Sequence, residues 1–149
     1  MIIIKMKKSI RQLVLNLKGP SSIYCNCNSP CSKLEIDHVV PRWYLKKVIK
    51  TELKSAITDP HNLYRCCNIM NRNKGALMLD IKFKSQEISG LMSRSYLYMN
   101  WRYNMYLDPS SLFYLKTISK NNQPFPFEVE RSKKIFLKTG VFNPFINKQ

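Results

Sequence analysis

The pattern of apolar and polar positions divides the chain into a first part with short strands and a last part with helices. Residues 34–40 have the composition of a short strand, which Pro41 closes. A second strand is expected from residue 63 and should run into a helix that Gly75 ends. Between the strands, residues 43–57 have helical spacing. This helix would carry a stripe of lysines four positions apart: Lys46, Lys50 and Lys54.

The last third of the chain has the spacing of helices. Methionines and tyrosines recur at intervals of four and three from Met92 to Tyr106, which predicts a helix with a buried stripe. The stripe comprises Met92, Tyr96, Met99, Tyr103 and Tyr106. A second helix should follow, capped by Ser110 or Ser111. A third is expected over residues 128–138, before a glycine.

Length and composition favour one domain with a buried core. The chain has 149 residues, of which 44% are hydrophobic, and its four glycines leave little material for a flexible linker. We therefore expect a single α+β domain over residues 1–149. It would comprise an N-terminal segment over 1–20, partly helical, a core over 21–85 and a helical part over 86–149.

Positive charge is the most unusual property of the composition. The chain carries 25 basic and 9 acidic residues, a formal net charge of +16. The excess is +5 over residues 1–20, +6 over 21–85 and +5 over 86–149, so it belongs to the whole body and not to a tail. Such a distribution indicates a polyanionic partner, with affinity that falls as salt rises. The alternative is a basic soluble protein without such a partner.

The apolar segments do not predict a membrane protein. None approaches the roughly 18–20 residues needed to cross a bilayer. At the N-terminus the apolar residues precede the basic ones, which reverses the order of a secretory signal. We therefore expect no membrane association, and an intracellular or viral setting in preference to export.

Five cysteines form two clusters, Cys25, Cys27 and Cys31 in one and Cys66 and Cys67 in the other. Two C-x2-C knuckles, the strong pattern for zinc, are absent. Vicinal cysteines point in different directions in most backbones, which makes coordination by four cysteines awkward. Structural zinc, one or two disulfides, and plain thiols remain open alternatives, and an intracellular setting would weigh against disulfides.

Candidate chemistry is concentrated between residues 34 and 75. Asp37 offers an anionic oxygen and Asn71 a neutral one, the ligand types that Mg²⁺ prefers. His38 has a side chain able to take a proton from water near neutral pH, and a backbone carbonyl should fix its other ring nitrogen. Adjacent side chains on a strand diverge, so Asp37 could hold an ion while His38 faces the attacking water. The set predicts a one-metal site for phosphodiester hydrolysis.

Neighbouring residues should support this set. Asn62 is expected to tie loop backbone together through its amide, and His61 to be a structural histidine and not a ligand. Asp59 is likewise predicted to have a structural role beside the site. Four basic residues near the motif could clamp the scissile phosphate, and the sequence does not distinguish among them: Arg42, Arg65, Arg72 and Lys74.

Several short segments follow one another in an informative order: 23–27 (IYCNC), 34–41 (LEIDHVVP), 59–63 (DPHNL), 93–99 (SRSYLYM), 127–135 (FEVERSKKI) and 143–145 (NPF). This order resembles the bacterial endonuclease I family of sequence-nonspecific nucleases, within the wider HNH or ββα-metal group. The likeness covers roughly residues 23–146. The chain differs in having Asp37 where the family usually has glutamate, Arg65 where it has proline, and Lys74 where it has arginine.

The resemblance implies an α+β fold built on a ββα-metal core with a helical C-terminal third. It implies nonspecific cleavage of DNA, extending to RNA, with His38 as the catalytic residue. One Mg²⁺ would be bound at Asp37 and Asn71, a site that Mn²⁺ or Ca²⁺ could also occupy. Family members are typically exported and disulfide-bonded. We expect a monomer.

Two other functions explain parts of the pattern. A catalytically silent nucleic-acid-binding protein stabilised by zinc would account for the cysteine clusters and for the shorter carboxylate at Asp37. A site-specific nicking or homing nuclease would share the chemistry, but it needs a sequence-reading element, and the sequence shows no recognition module for it.

Overall fold

The structure, a computed structural model, describes residues 8–17, 33–68, 71 and 86–147. It combines several helices with a small antiparallel sheet of two strands, an arrangement compatible with the predicted α+β class. The described elements are α1 (Lys8–Asn16), β1 (Leu34–His38), α2 (Arg42–Val48), α3 (Leu53–Ile57), a 3-10 turn (Pro60–Asn62), β2 (Leu63–Cys67), α4 (Gln86–Tyr103), α5 (Pro109–Asn121) and α6 (Pro126–Thr139). None of these helices is long and apolar enough to cross a membrane.

The two strands lie where the sequence predicts them. β1 pairs with β2 in antiparallel register, with Leu34 opposite Cys67 and His38 opposite Leu63. β1 ends at His38 and not at Val40, because the chain leaves the sheet there to enter α2 through Pro41. Beyond β2 the chain is helical at positions 68 and 71, and the expected end of that helix at Gly75 lies outside the described residues.

The single helix predicted over residues 43–57 is wrong. α2 ends at Val48 and α3 begins at Leu53, and Glu52 between them has a left-handed backbone with φ 58°. A continuous right-handed helix excludes that conformation. The lysine stripe is therefore distributed over α2, the connection and α3, although all three side chains are exposed: Lys46, Lys50 and Lys54.

α4 provides the centre of the core. Its side chains from Leu91 to Met99 are buried, including the predicted Met92, Tyr96 and Met99, and they pack with residues of α2, α3 and β2. The predicted stripe holds to Tyr103, which is half-buried, and fails at Tyr106, which is 64% exposed. The helix ends at Tyr103, before it reaches Tyr106, because Asn104 has a left-handed backbone with φ 50°.

α5 is capped by a different residue from those predicted. The Asp108 carboxylate accepts the backbone N–H of Ser111 at 3.0 Å and the hydroxyls of Ser110 and Ser111 at 2.6 and 2.5 Å. These hydrogen bonds lower the pKa of Asp108 well below its usual range. Asp108 is therefore the N-cap residue, and Ser110 and Ser111 donate hydrogen bonds to it. α6 ends at Thr139, before the predicted glycine, and Gly140 itself has a left-handed φ of 75°.

Two buried arginines connect α6 to the rest of the molecule. Arg94 of α4 forms a two-point ion pair with Glu128, with distances of 2.9 Å from Nε and 2.7 Å from Nη2. Arg131 donates to the carbonyl oxygens of Pro60, at 2.5 Å, and of Leu63. Its guanidinium also lies 3.8 Å from the ring centre of Tyr64. α6 therefore fixes the backbone that leads into β2. Burial of the Arg131 guanidinium lowers its pKa.

Candidate functional site

Asp37 and His38 leave β1 on opposite faces of the sheet, as adjacent residues of a strand must. Asp37 lies opposite the buried Tyr64 and is itself only 7% exposed. His38 is the last residue of the strand and is half-buried. The predicted divergence of the two side chains is therefore present in the structure.

The His38 ring is held by a backbone carbonyl, as predicted. Its Nε2 lies 2.8 Å from the carbonyl oxygen of Ile57, the last residue of α3. The final carbonyls of a helix lack partners within the helix, which makes this oxygen an available acceptor. Because a carbonyl can only accept, Nε2 carries the proton. A neutral ring then has its basic lone pair on Nδ1.

Asn71 reaches β1 through a residue that sequence reasoning did not select. Its Nδ2 donates to Oε2 of Glu35 at 2.9 Å, and both side chains are half-buried. Glu35 stands two positions before Asp37, so both carboxylates project from the same face of the strand. A second carboxylate two positions before a proposed ligand on a strand was the signal that could have revealed Glu35.

Asn62 ties the end of β1 to the 3-10 turn, as expected. Its Oδ1 accepts the backbone N–H of Val40 at 2.8 Å, and its Nδ2 donates to the carbonyl of the same residue at 3.1 Å. The backbone of Asn62 also accepts the N–H of Val39 at 3.0 Å. The side chain is fully buried, so these bonds hold the chain immediately after His38 in one position.

Asp59 organises the same turn. Oδ1 accepts the backbone N–H of His61 at 2.8 Å, and Oδ2 accepts the hydroxyls of Tyr98 at 2.8 Å and Tyr103 at 2.6 Å. Burial, followed by the neighbouring Asp59 carboxylate, raises the pKa of both tyrosines far above the usual value, so both remain donors. The predicted supporting role of Asp59 thus consists of joining the turn to α4.

His61 has the environment of a structural histidine. It is 1% exposed, its Nε2 lies 2.9 Å from the carbonyl oxygen of Val141, and its ring centre is 4.6 Å from that of Tyr98. Burial lowers the pKa of His61 below its ordinary value, and the effect outweighs the opposing one of Asp59. The imidazole is therefore neutral at physiological pH.

The four basic candidates have different surroundings. Arg42 is exposed at the start of α2. Arg65 is half-buried, and its Nη1 donates to the carbonyl oxygen of Leu15 at 3.2 Å, which attaches α1 to β2. Arg72 and Lys74 lie outside the described residues. Arg42 is thus the exposed one of the two that the structure describes.

Cys66 and Cys67 are both buried on β2, where successive side chains project to opposite faces. Their predicted divergence is present. Cys25, Cys27 and Cys31 lie outside the described residues, so zinc, disulfide and thiol remain alternatives. Within the described ranges, no group of three or more His, Cys, Asp or Glu residues is arranged to hold a metal ion.

No family model and no curated protein matches this chain. Its function must therefore be inferred from the site itself. Because Nδ2 of Asn71 is used by Glu35, the atom that this amide offers to an ion is Oδ1. Asp37 adds a carboxylate from the same face of β1. Oxygen donors of these two kinds fit Mg²⁺, Mn²⁺ or Ca²⁺, and they leave the remaining coordination positions to water and substrate.

Proposed function

We propose that this protein is a sequence-nonspecific, metal-dependent endonuclease that hydrolyses phosphodiester bonds in DNA and also in RNA. The observation that carries the proposal is the pairing of His38 with the Ile57 carbonyl, which gives the imidazole a defined tautomer beside a strand carboxylate. The order of β1, β2 and helical residues at 68 and 71 supports a ββα-metal core.

In the proposed reaction His38 is the general base. With Nε2–H held by the Ile57 carbonyl, Nδ1 is the ring atom that takes a proton from the attacking water. The same carbonyl then stabilises the imidazolium, because a charged donor strengthens the hydrogen bond. Asn62 contributes indirectly, since its bonds to Val40 fix the backbone that follows the base.

Asp37 and Asn71 would hold the divalent ion. When bound, that ion supplies charge neutralisation at the phosphorus centre and at the leaving oxygen. Asp37 is suited to the role because its carboxylate is largely removed from bulk water, where electrostatic interactions are strong. Asn71 adds an oxygen without adding charge, so the ion and its two protein ligands together keep a positive charge for a phosphate group.

A series of exposed basic residues that follows His38 in the chain supports a polyanionic substrate. The chain enters α2 four residues after His38, and the α2–α3 segment carries five exposed basic residues: Arg42, Lys46, Lys47, Lys50 and Lys54. Glu52 is its only acidic residue. Phosphates bound along such a surface would be brought close to the base without any reading of sequence.

The decisive experiment is a plasmid digest at low salt with Mg²⁺, with and without chelator. We compare the wild type with His38→Gln, because the glutamine amide can still donate to the Ile57 carbonyl but cannot take a proton from water. The variant should keep DNA binding and lose about 10²–10⁴-fold in cleavage rate, the usual contribution of a general base.

Other outcomes would point elsewhere. An intact plasmid with the wild type in both lanes rejects the nuclease proposal. If DNA binding persists without turnover and each chain holds one tight zinc ion, the silent zinc-stabilised binding protein is favoured. Discrete cleavage bands would favour the site-specific nuclease. Cleavage by His38→Gln at the wild-type rate would remove His38 from the mechanism.

A further inference from the structure

We infer that Glu35 is a positioning residue for the metal site, because it holds the Asn71 amide with its oxygen available to the ion. The inference rests on the proposed function, since it concerns the same site. Its basis is the hydrogen bond of 2.9 Å from Asn71 Nδ2 to Glu35 Oε2, which joins residues 36 positions apart in the chain.

The chemistry of an amide makes this contact consequential. An asparagine presents an oxygen on one side and an NH₂ group on the other, and only the oxygen binds a hard cation. Rotation of the amide by half a turn exchanges the two. A carboxylate can receive the NH₂ group but repels the amide oxygen, so Glu35 selects one of the two orientations.

The position of Glu35 suits this role. Residues 35 and 37 lie on the same face of β1 and are two positions apart, roughly 7 Å along the strand. One carboxylate can therefore bind an ion while the other holds a ligand of that ion. The half-buried setting of both Glu35 and Asn71 limits competition from water for their hydrogen bond.

The rival interpretation is that Glu35 binds the ion directly. Glu35→Gln separates the two, because a glutamine oxygen can still accept the Asn71 NH₂ group whereas the negative charge is gone. Glu35→Ala removes both the acceptor and the charge. The matched control is Glu130→Ala on α6, which removes the same charge from an exposed carboxylate that pairs with Lys134 at 3.1 Å.

The main readout is the dissociation constant of Mn²⁺, measured without nucleic acid by the electron paramagnetic resonance signal of the free ion. Loss of a residue that orients a ligand typically costs 10–100-fold in metal affinity. We expect Glu35→Ala to weaken Mn²⁺ binding at least tenfold, and Glu35→Gln and Glu130→Ala to stay within about twofold of the wild type. Circular dichroism establishes that each variant is folded.

A double-mutant cycle with Asn71→Ala gives a second, independent test. If Glu35 acts through the amide, Glu35→Ala should weaken Mn²⁺ binding no further once Asn71 is alanine. A persistent loss in that background, or a Glu35→Gln variant as weak as Glu35→Ala, would overturn the positioning role. Wild-type affinity in Glu35→Ala would do the same.

Failure of this inference differs from failure of the proposed function. A wild type that binds no divalent ion and cuts no nucleic acid contradicts the nuclease proposal, whatever Glu35 does. A wild type that binds Mn²⁺ and cleaves, beside a Glu35→Ala variant with unchanged Mn²⁺ affinity, contradicts the inference alone.

Discussion

At the residue scale, the side chains with proposed chemical roles are fixed by neighbours for which no chemical role is proposed. His38 takes its orientation from the carbonyl of Ile57, and the backbone after it is held by Asn62. Glu35 does the same for the Asn71 amide. Two of these supporting groups are single polar side chains, Asn62 and Glu35. Substitution of either should alter the geometry of the proposed site while His38 itself is unchanged.

His61 should make the free energy of unfolding depend on pH. Its pKa in the folded protein is lowered by burial, whereas the unfolded chain has the ordinary value near 6.5. The unfolded state therefore binds more protons below pH 6.5. Stability should be fully present above that pH and should fall as the pH drops, by at most about 1.4 kcal/mol per pH unit. Urea unfolding between about pH 5.5 and 7.5 measures this dependence.

His61→Gln provides the control for that titration. The chain has two histidines, and His38 is present in both the wild type and the variant. Any effect of His38 on the pH dependence is therefore common to both proteins. Around His61, Asp59 raises the pKa and Arg131 lowers it, and both remain in the variant. The slope should become flatter in His61→Gln. An unchanged slope would show that other groups cause the dependence.

Residue types and their order single out His38, Asp37 and Asn62 as candidates, because each proposed role restricts the suitable side chains. The Asn62 bonds and the carbonyl partner of His38 agree with that prediction. The spacing of Glu35 and Asp37 places both on one face of β1, but it does not predict which residue Glu35 contacts. Its contact depends on the distance between a strand and a residue 36 positions later, which no local pattern encodes.

At the element scale, α6 contributes stability through a buried ion pair. Glu128 receives two hydrogen bonds from Arg94 and a third, at 2.8 Å, from the backbone N–H of Phe125 at the start of its own helix. Arg94 also donates to the carbonyl oxygen of Asn122 at 2.7 Å, next to Gly90. A Cβ at Gly90 would come within 2.7 Å of the Asn122 Cβ, so α4 approaches this turn closely because residue 90 has no side chain.

Glu128→Ala should destabilise the protein by about 3–5 kcal/mol, because it leaves the Arg94 guanidinium buried without its counter-charge. Glu130→Ala on the same helix is the matched control. Its ion pair with Lys134 is exposed, and such pairs contribute about 0–1 kcal/mol. Chemical denaturation of both variants tests the difference. Equal midpoints would mean that burial of the Arg94–Glu128 pair has no consequence for stability.

Helix boundaries were predicted less well than helix positions. Leu45, Ile49, Leu53 and Ala56 have the spacing of one helical face, so periodicity does not reveal the left-handed residue at Glu52. The cap of α5 shows a similar limit, because Asp108 and both serines that follow it are all good capping residues. Which of them accepts the backbone N–H is decided by the direction of the chain entering the helix.

At the scale of the whole molecule, one exposed basic segment directly follows the proposed site in the chain. The sequence predicted a polyanion partner from the net charge of +16 but could not predict where the partner binds, because all three parts of the chain carry an excess of positive charge. The fold shows where some of the basic residues lie. α2 and α3 follow β1 directly and present five exposed basic side chains, and α3 ends at Ile57, whose carbonyl oxygen contacts the His38 ring.

DNA binding should therefore depend on salt chiefly through the α2–α3 surface. Exchange of Lys46 and Lys47 for glutamate should reduce the slope of log K against log salt by roughly 0.9 for each phosphate that is no longer neutralised, and so by about two for the pair. Lys133 and Lys138 on α6 are also exposed, and their exchange for glutamate changes the net charge equally. Fluorescence anisotropy with a labelled duplex, in chelator to prevent cleavage, measures the slope for both variants. If only the first pair alters the slope, phosphates lie on α2; if both pairs alter it equally, overall charge and not this surface governs binding.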